Sequence, residues 1–184
     1  MDADSPVKDI LYKELSKISE NKILLEISKK NSSKVISEII SKCSPKIKQI
    51  TRNLEEDLGN LAESLMHYFL TLALIPSQRK VSEKNLEIDI VIPDLRTLQH
   101  DPKDALVILF PKTADTSLIK KCITDIEKIQ PFKENIWLVM NKILEFSNKT
   151  YQINSDTGSV SKILDDIDEF FSNKKQTRFK IMKS

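Results

Sequence analysis

Two stretches, LEIDIVIPD at residues 86–94 and ALVILFPKT at residues 105–113, decide the fold class of this chain. The first alternates with the two-residue period of a β-strand, so its three isoleucines are expected on one face and Glu87 and Asp89 on the other. The second is apolar on both faces, which is typical of a central strand. The two stretches therefore predict a sheet with a buried strand beside a strand that carries two carboxylates.

Helical patterns surround these strands. Apolar residues recur at spacings of three and four through residues 54–75 and again through 115–130. Residues 134–142, ENIWLVMNK, indicate another buried strand, residues 150–154 a fifth or edge strand, and residues 156–158 a turn before a last amphipathic helix. The predicted core order is helix, three strands, helix, strand, with residues 86–94 and 105–113 as two of the first three strands. This is an α/β fold with additional helices at both ends.

The first third of the chain is predicted to be entirely helical. We expect residues 1–53 to form an N-terminal helical region and residues 54–184 to form the α/β domain. Ser44 and Pro45 indicate the start of a new helix in this region. Residues 33–42 could be the reading helix of a helix-turn-helix, and the alternative is a helical cap or a dimerisation arm.

Composition limits the classes of function. With 40% hydrophobic and 30% charged residues, the chain is typical of a globular protein with a cytoplasmic location and no membrane span. Only two glycines are present, which excludes a glycine-rich phosphate loop. Cys43 and Cys122 are isolated and are interpreted as free thiols, not zinc ligands. His67 lies among aromatic residues and is interpreted as a packed histidine.

Positive charge is concentrated at the ends of the chain. The formal net charge is only +2, but residues 8–54 carry eleven Lys and Arg, and residues 174–184 carry five with no acidic residue. Such segments could follow a phosphate backbone through counterion release. Lysine-rich helix faces are also common as plain solvated surfaces, so both interpretations stay open.

Three charged residues follow one another in a recognisable order. Glu63 follows Gly59 in the helical stretch LGNLAE, Asp89 lies in the strand EIDIVIP, and Lys112 ends the next strand. In this order and context, the segment from Gly59 to Lys142 resembles the restriction-endonuclease-like, or PD-(D/E)xK, nuclease superfamily, and most of all archaeal Holliday junction resolvases. The resemblance implies a core of helix, three-strand meander, helix and strand.

The resemblance also implies a metal-dependent site. Glu63 and Asp89 would hold Mg²⁺ or Mn²⁺, with Glu87 as an assisting ligand, because these hard cations prefer oxygen donors. Lys112 would position the attacking water. The chain departs from the pattern at Phe110, since the residue two before the lysine is a carboxylate in the superfamily.

Three functions remain open at this point. The first is a DNA endonuclease that hydrolyses phosphodiester bonds in duplex or branched DNA. The second is a catalytically inactive protein of the same fold that binds DNA or a protein partner. The third is a helical adaptor that forms a homodimer through its N-terminal helices and such residues as Ile36 and Ile40, and it needs none of the three charged residues.

Overall fold

A computed structural model describes the backbone of residues 5–142, 144–153 and 159–181, and the side chains of these ranges except 159 and 174–181. The helices are α1 (Pro6–Leu15), α2 (Glu20–Ser28), α3 (Ser32–Ile50), α4 (Leu54–Leu72), α5 (Leu95–His100), α6 (Thr116–Glu127) and α7 (Ile163–Ile181). The strands are β1 (Gln78–Glu83), β2 (Leu86–Ile92), β3 (Leu106–Leu109), β4 (Ile136–Met140) and β5 (Thr150–Gln152). The predicted turn at 156–158 and the side chains of the basic segment 174–184 lie outside the described residues.

The five strands form one mixed sheet in the order β1-β2-β3-β4-β5. β1, β2 and β3 pair antiparallel, and β3, β4 and β5 pair parallel. The change of direction follows from α6, because a parallel neighbour requires a crossover and α6 supplies it between β3 and β4. The α/β class is confirmed, and the predicted order of the core elements is found with α5 inserted between β2 and β3.

Hydrophobic side chains cover both faces of the sheet. Along β3, Leu106 and Ile108 join a cluster with α1, α3, α4 and α7, and Val107 and Leu109 join a second cluster with α6. All four β3 residues are buried, as expected for a central strand. The sheet therefore lies between a thick helical layer on one face and α6 with the short helix α5 on the other.

The N-terminal helices pack into the first of these clusters. Ile36 and Ile40 are 1% and 6% exposed and contribute to the chain's own core, so the prediction that a dimer assembles through these two residues is wrong. The predicted helix start at Ser44 and Pro45 is also wrong, because α3 continues through both. Pro45 has no N–H to donate to the carbonyl of Ser41, four residues earlier. Ser41 lies on the exposed face of α3, where water can bind this carbonyl.

The pairing of β1 with β2 is interrupted at one position. The register continues on both sides but skips Lys80 and Asp89, and Lys80 has a positive φ of 51°. Ile90 and Ile92 lie in the helix-side cluster, but Ile88 packs in the α6-side cluster. The expectation that all three isoleucines share a face is therefore wrong for Ile88, because the strand pair is distorted beside Asp89.

Among the described residues, no helix has both the length and the apolar character that crossing a membrane requires.

Candidate functional site

The site begins where α4 passes the end of β3. A Cβ atom at Gly59 would lie 3.4 Å from Lys112 Cγ and 3.5 Å from the Pro111 carbonyl oxygen, so the helix and the strand end are in close contact here. Glu63 lies one helical turn beyond Gly59 on the same face of α4. The packing therefore brings the Glu63 carboxylate to the residues that follow β3.

Glu63 is fully buried and is held between two cations. Its Oε1 accepts a hydrogen bond of 2.7 Å from Arg79 Nε, and its Oε2 lies 3.1 Å from Lys112 Nζ. The second contact is an ion pair without hydrogen-bond alignment, since Oε2 accepts no hydrogen bond among the described residues. A buried carboxylate of this kind is tolerated only when cations compensate its charge.

Asp89 bridges the open end of the β2–β3 pair. Its Oδ2 accepts a hydrogen bond of 2.8 Å from the Phe110 backbone N–H, directly after the last residue of β3. Burial raises the pKa of Asp89, and the Glu63 charge acts in the same direction, whereas the Phe110 hydrogen bond and the charges of Lys112 and Arg79 oppose it. These couplings place both carboxylates and both cations in one electrostatic cluster.

The predicted residues are thus close together, although their proposed roles in catalysis stay predictions. Lys112 is 36% exposed at its side chain and is the most accessible member of the Glu63 ion-pair cluster. Glu87 is exposed and lines a cleft of about 320 Å³ together with Asp89 and Lys112. The volume is at the lower end of the range for ligand sites, and α6 forms the opposite wall through Leu118 and Cys122.

Phe110 occupies the position at which the resemblance would require a carboxylate. Its side chain is 1% exposed and belongs to the helix-side core with Ile108. An acidic side chain in this place would be buried among apolar groups. The position therefore serves packing, and the metal ligand that it would provide is missing.

The ligand set does not fit the divalent cation that the resemblance implies. In the part of the chain that the structure describes, no group of three or more His, Cys, Asp and Glu side chains is placed to hold a metal ion. Cys43 is buried, Cys122 is exposed, and both are free thiols. Of the predicted ligands, Glu63 is neutralised by two cations and Asp89 accepts a backbone hydrogen bond.

Arg79 is the site residue that the sequence analysis missed. It belongs to β1, whose place beside β2 arises from strand pairing and not from a local motif. One signal was present in the sequence, because a glutamate among the apolar residues of α4 requires a cationic partner.

His67, one helical turn beyond Glu63, belongs to the same surroundings. Burial lowers its pKa, the Arg79 charge adds to the shift, and Glu63 opposes it. Its Nδ1 is buried and has no hydrogen-bond partner among the described residues.

Comparison with known proteins adds no assignment to this geometry. No protein-family model, no curated protein and no solved structure matches this chain.

Proposed function

We propose that this chain is a catalytically inactive protein with a restriction-endonuclease-like core and that it binds DNA without cutting it. The fold part of the proposal is supported by the order of elements around the site. α4 precedes an antiparallel meander of β1, β2 and β3, and α6 then returns the chain to the parallel strand β4. This is the arrangement that the resemblance implies.

The lack of catalysis is supported by the state of the carboxylates. Glu63 already has Arg79 and Lys112 as counter-charges, and Phe110 fills the position of a further ligand with a core side chain. A divalent cation needs several oxygen donors with uncompensated charge. Without such a cation, the negative charge that builds on a phosphate during hydrolysis would not be stabilised.

DNA binding is carried by one observation, the basic surface of the N-terminal helices. Residues 8–54 carry eleven Lys and Arg against five Asp and Glu, an excess of six positive charges in a chain whose net charge is +2. Four exposed lysines at the end of α1, on α2 and on α3 form what we call the α1–α3 lysine surface: Lys17, Lys22, Lys42 and Lys46.

The contacts of Glu14 bring two members of this surface together. Glu14 pairs with Lys17 Nζ at 2.7 Å and also with Lys46 Nζ, which comes from α3. The two hydrogen bonds lower the pKa of Glu14 to about 2. One carboxylate therefore lies between two lysines and compensates only part of their charge.

A second carboxylate, Glu38, pairs with one of the other two lysines and lies within the field of the other. Glu38 pairs with Lys42 Nζ at 2.5 Å. The pKa of Glu38 is lowered mainly by this hydrogen bond and further by the charge of Lys22 on α2. Two carboxylates thus face four lysines, and positive charge remains to release counterions from a phosphate backbone.

The test measures binding and cleavage together. Wild-type protein is titrated with fluorescently labelled duplex and branched DNA over a series of salt concentrations, and cleavage is followed with Mg²⁺ and with Mn²⁺. We expect salt-sensitive binding that survives Asp89→Ala and no cleavage with either metal. Replacing all four lysines of the α1–α3 lysine surface with glutamine should weaken binding and reduce the salt slope by up to about 4.

A matched control removes the same charge elsewhere. Its four exposed lysines lie on α6 and in the connection after it: Lys120, Lys121, Lys128 and Lys133. Lys128 and Lys133 also pair with carboxylates, as lysines of the α1–α3 lysine surface do. We expect the control to keep its affinity. Loss of affinity in the control alone would indicate that DNA binds on the α6 side. A wild-type protein that binds no DNA would contradict the proposal.

Nuclease activity is the second candidate, favoured by the convergence of Glu63, Asp89 and Lys112. If it is correct, wild-type protein cleaves DNA with Mg²⁺ or Mn²⁺, and cleavage is lost in both Asp89→Asn and Lys112→Ala. Cleavage that survives in either variant would point to a contaminating enzyme. If cleavage is lost in both variants, Glu87→Gln tests whether Glu87 supplies the ligand missing at Phe110.

A further inference from the structure

We propose that the Arg79 guanidinium, together with Lys112, takes the charge-balancing place of a divalent cation and closes this site to metal. The inference rests on the proposed function and explains how the carboxylates of the site stay buried without a metal. Its predictions concern metal binding and stability, so they can be tested without DNA.

The charge of the cluster is balanced by the chain itself. Glu63 and Asp89 contribute two negative charges, and Arg79 and Lys112 contribute two positive charges. A divalent cation added to this set would leave two positive charges uncompensated in a partly buried site. It could bind only by displacing one of the resident cations, which would then lose its partner.

Arg79 is well placed to act as a fixed counter-ion. Its side chain is only 22% exposed, Nε lies 2.7 Å from Glu63 Oε1, and Nη2 lies 3.5 Å from Ser64 Oγ. It extends from β1, where its register partner is Ile90, the residue directly after Asp89. The guanidinium is therefore held by a strand, a helix and an ion pair, unlike a dissociable metal.

Removal of the Arg79 charge should reverse this balance. The cluster would carry a net charge of −1, and Oε1 of Glu63 would lose its donor. Oε2 already accepts no hydrogen bond among the described residues. Oε1 and the nearby carboxylate of Asp89 would then offer the hard donors that Mn²⁺ and Mg²⁺ prefer, and Oε2 would keep its ion pair with Lys112.

The experiment compares the whole wild-type chain with Arg79→Met, which keeps an apolar stem and removes the charge. Binding of Mn²⁺ is measured by titration calorimetry, and the melting temperature is measured with and without Mn²⁺. We expect no binding and no shift for the wild type, and a rise in melting temperature with Mn²⁺ for Arg79→Met, because a ligand stabilises the state that binds it. The shift should disappear in Arg79→Met combined with Asp89→Asn.

Arg96→Met is the matched control. Arg96 is exposed on α5, so this variant loses the same charge outside the cluster and should show no response to Mn²⁺. Lys112→Met removes the more exposed of the two resident cations and provides a second test if Arg79→Met does not fold. An absent Mn²⁺ response in every folded variant overturns the inference, as does a response that survives Asp89→Asn.

The outcomes also separate the inference from the proposed function. Wild-type protein that binds Mn²⁺ and cleaves DNA contradicts both. Wild-type protein that binds DNA without cleavage, with an Arg79→Met variant that ignores Mn²⁺, contradicts only the inference.

Discussion

At the scale of single residues, the buried Glu63 carboxylate is a charge that needs compensation by neighbouring cations. It is 0% exposed, and its two oxygens face Arg79 and Lys112. The stability of such a group depends on its partners more than on its own contacts, because an unpaired buried charge is costly. Substitutions at Glu63 and at Arg79 are therefore expected to be strongly coupled.

We predict that Arg79→Met lowers the free energy of unfolding by about 3 kcal/mol, because it leaves a buried carboxylate with one partner fewer. The double variant Glu63→Gln/Arg79→Met should lose less than the sum of the two single variants. Urea unfolding measures both effects, with Arg96→Met as the control. Additive losses would show that the ion pair contributes nothing beyond the separate side chains.

The lowered pKa of Glu14 predicts that the free energy of unfolding depends on pH. Hydrogen bonds from Lys17 and Lys46 lower its pKa from 4.5 to about 2 in the folded state. Its stabilising contribution is present above 4.5 and is lost as the pH falls towards 2, because the unfolded state then binds the proton more readily. Unfolding measured across this range should be less pH-dependent in Glu14→Gln. An unchanged pH profile would contradict the role of Glu14.

At the scale of elements, α4 contacts the residues that follow β3 at Gly59, and this contact leaves room for a side chain as small as alanine. The atom nearest to an added Cβ would be Lys112 Cγ at 3.4 Å, which is an ordinary van der Waals contact. Glycine in a helix interior is less favourable than alanine by about 1 kcal/mol. We predict that Gly59→Ala stabilises the protein by up to about 1 kcal/mol in thermal or urea unfolding. A loss of stability would mean that the added methyl group does not fit between α4 and the residues that follow β3.

The elements themselves could be predicted to different degrees. α4, α6, β2, β3 and β4 follow from periodicity, because each buries a face or a whole segment. β1 could not be delimited, since QRKVSE alternates only between exposed and half-buried side chains and is a strand through its pairing with β2. The packing of Ile88 on the α6 side could not be predicted either, because it depends on the distortion of the β1–β2 pair at Lys80 and Asp89.

The candidate site could be predicted only in part. The order of Glu63, Asp89 and Lys112 along predicted elements indicated that they could meet, and the structure places them in one cluster. Arg79 could not be identified, because its contact with Glu63 depends on how β1 lies against α4. The burial of Phe110 in the core likewise depends on tertiary packing.

At the scale of the whole molecule, one hydrophobic cluster joins the N-terminal helices to the sheet. It contains Ile39 of α3, which is 0% exposed, together with Trp137 of β4. We predict that Ile39→Ala lowers the free energy of unfolding by about 3 kcal/mol. Tryptophan fluorescence and far-ultraviolet circular dichroism should report the same unfolding midpoint. Separate midpoints would show that the helices and the sheet unfold independently.

The two edges of the sheet bear on how the protein behaves at high concentration. An edge strand offers unpaired backbone groups to other chains and can start aggregation, unless it is short, charged or distorted. β1 carries Arg79, Lys80 and Glu83, and its backbone turns out of regular geometry at Lys80, whereas β5 spans only three residues. Neither edge is a good template for strand addition, so copies of this chain should resist intermolecular sheet formation even when they are concentrated.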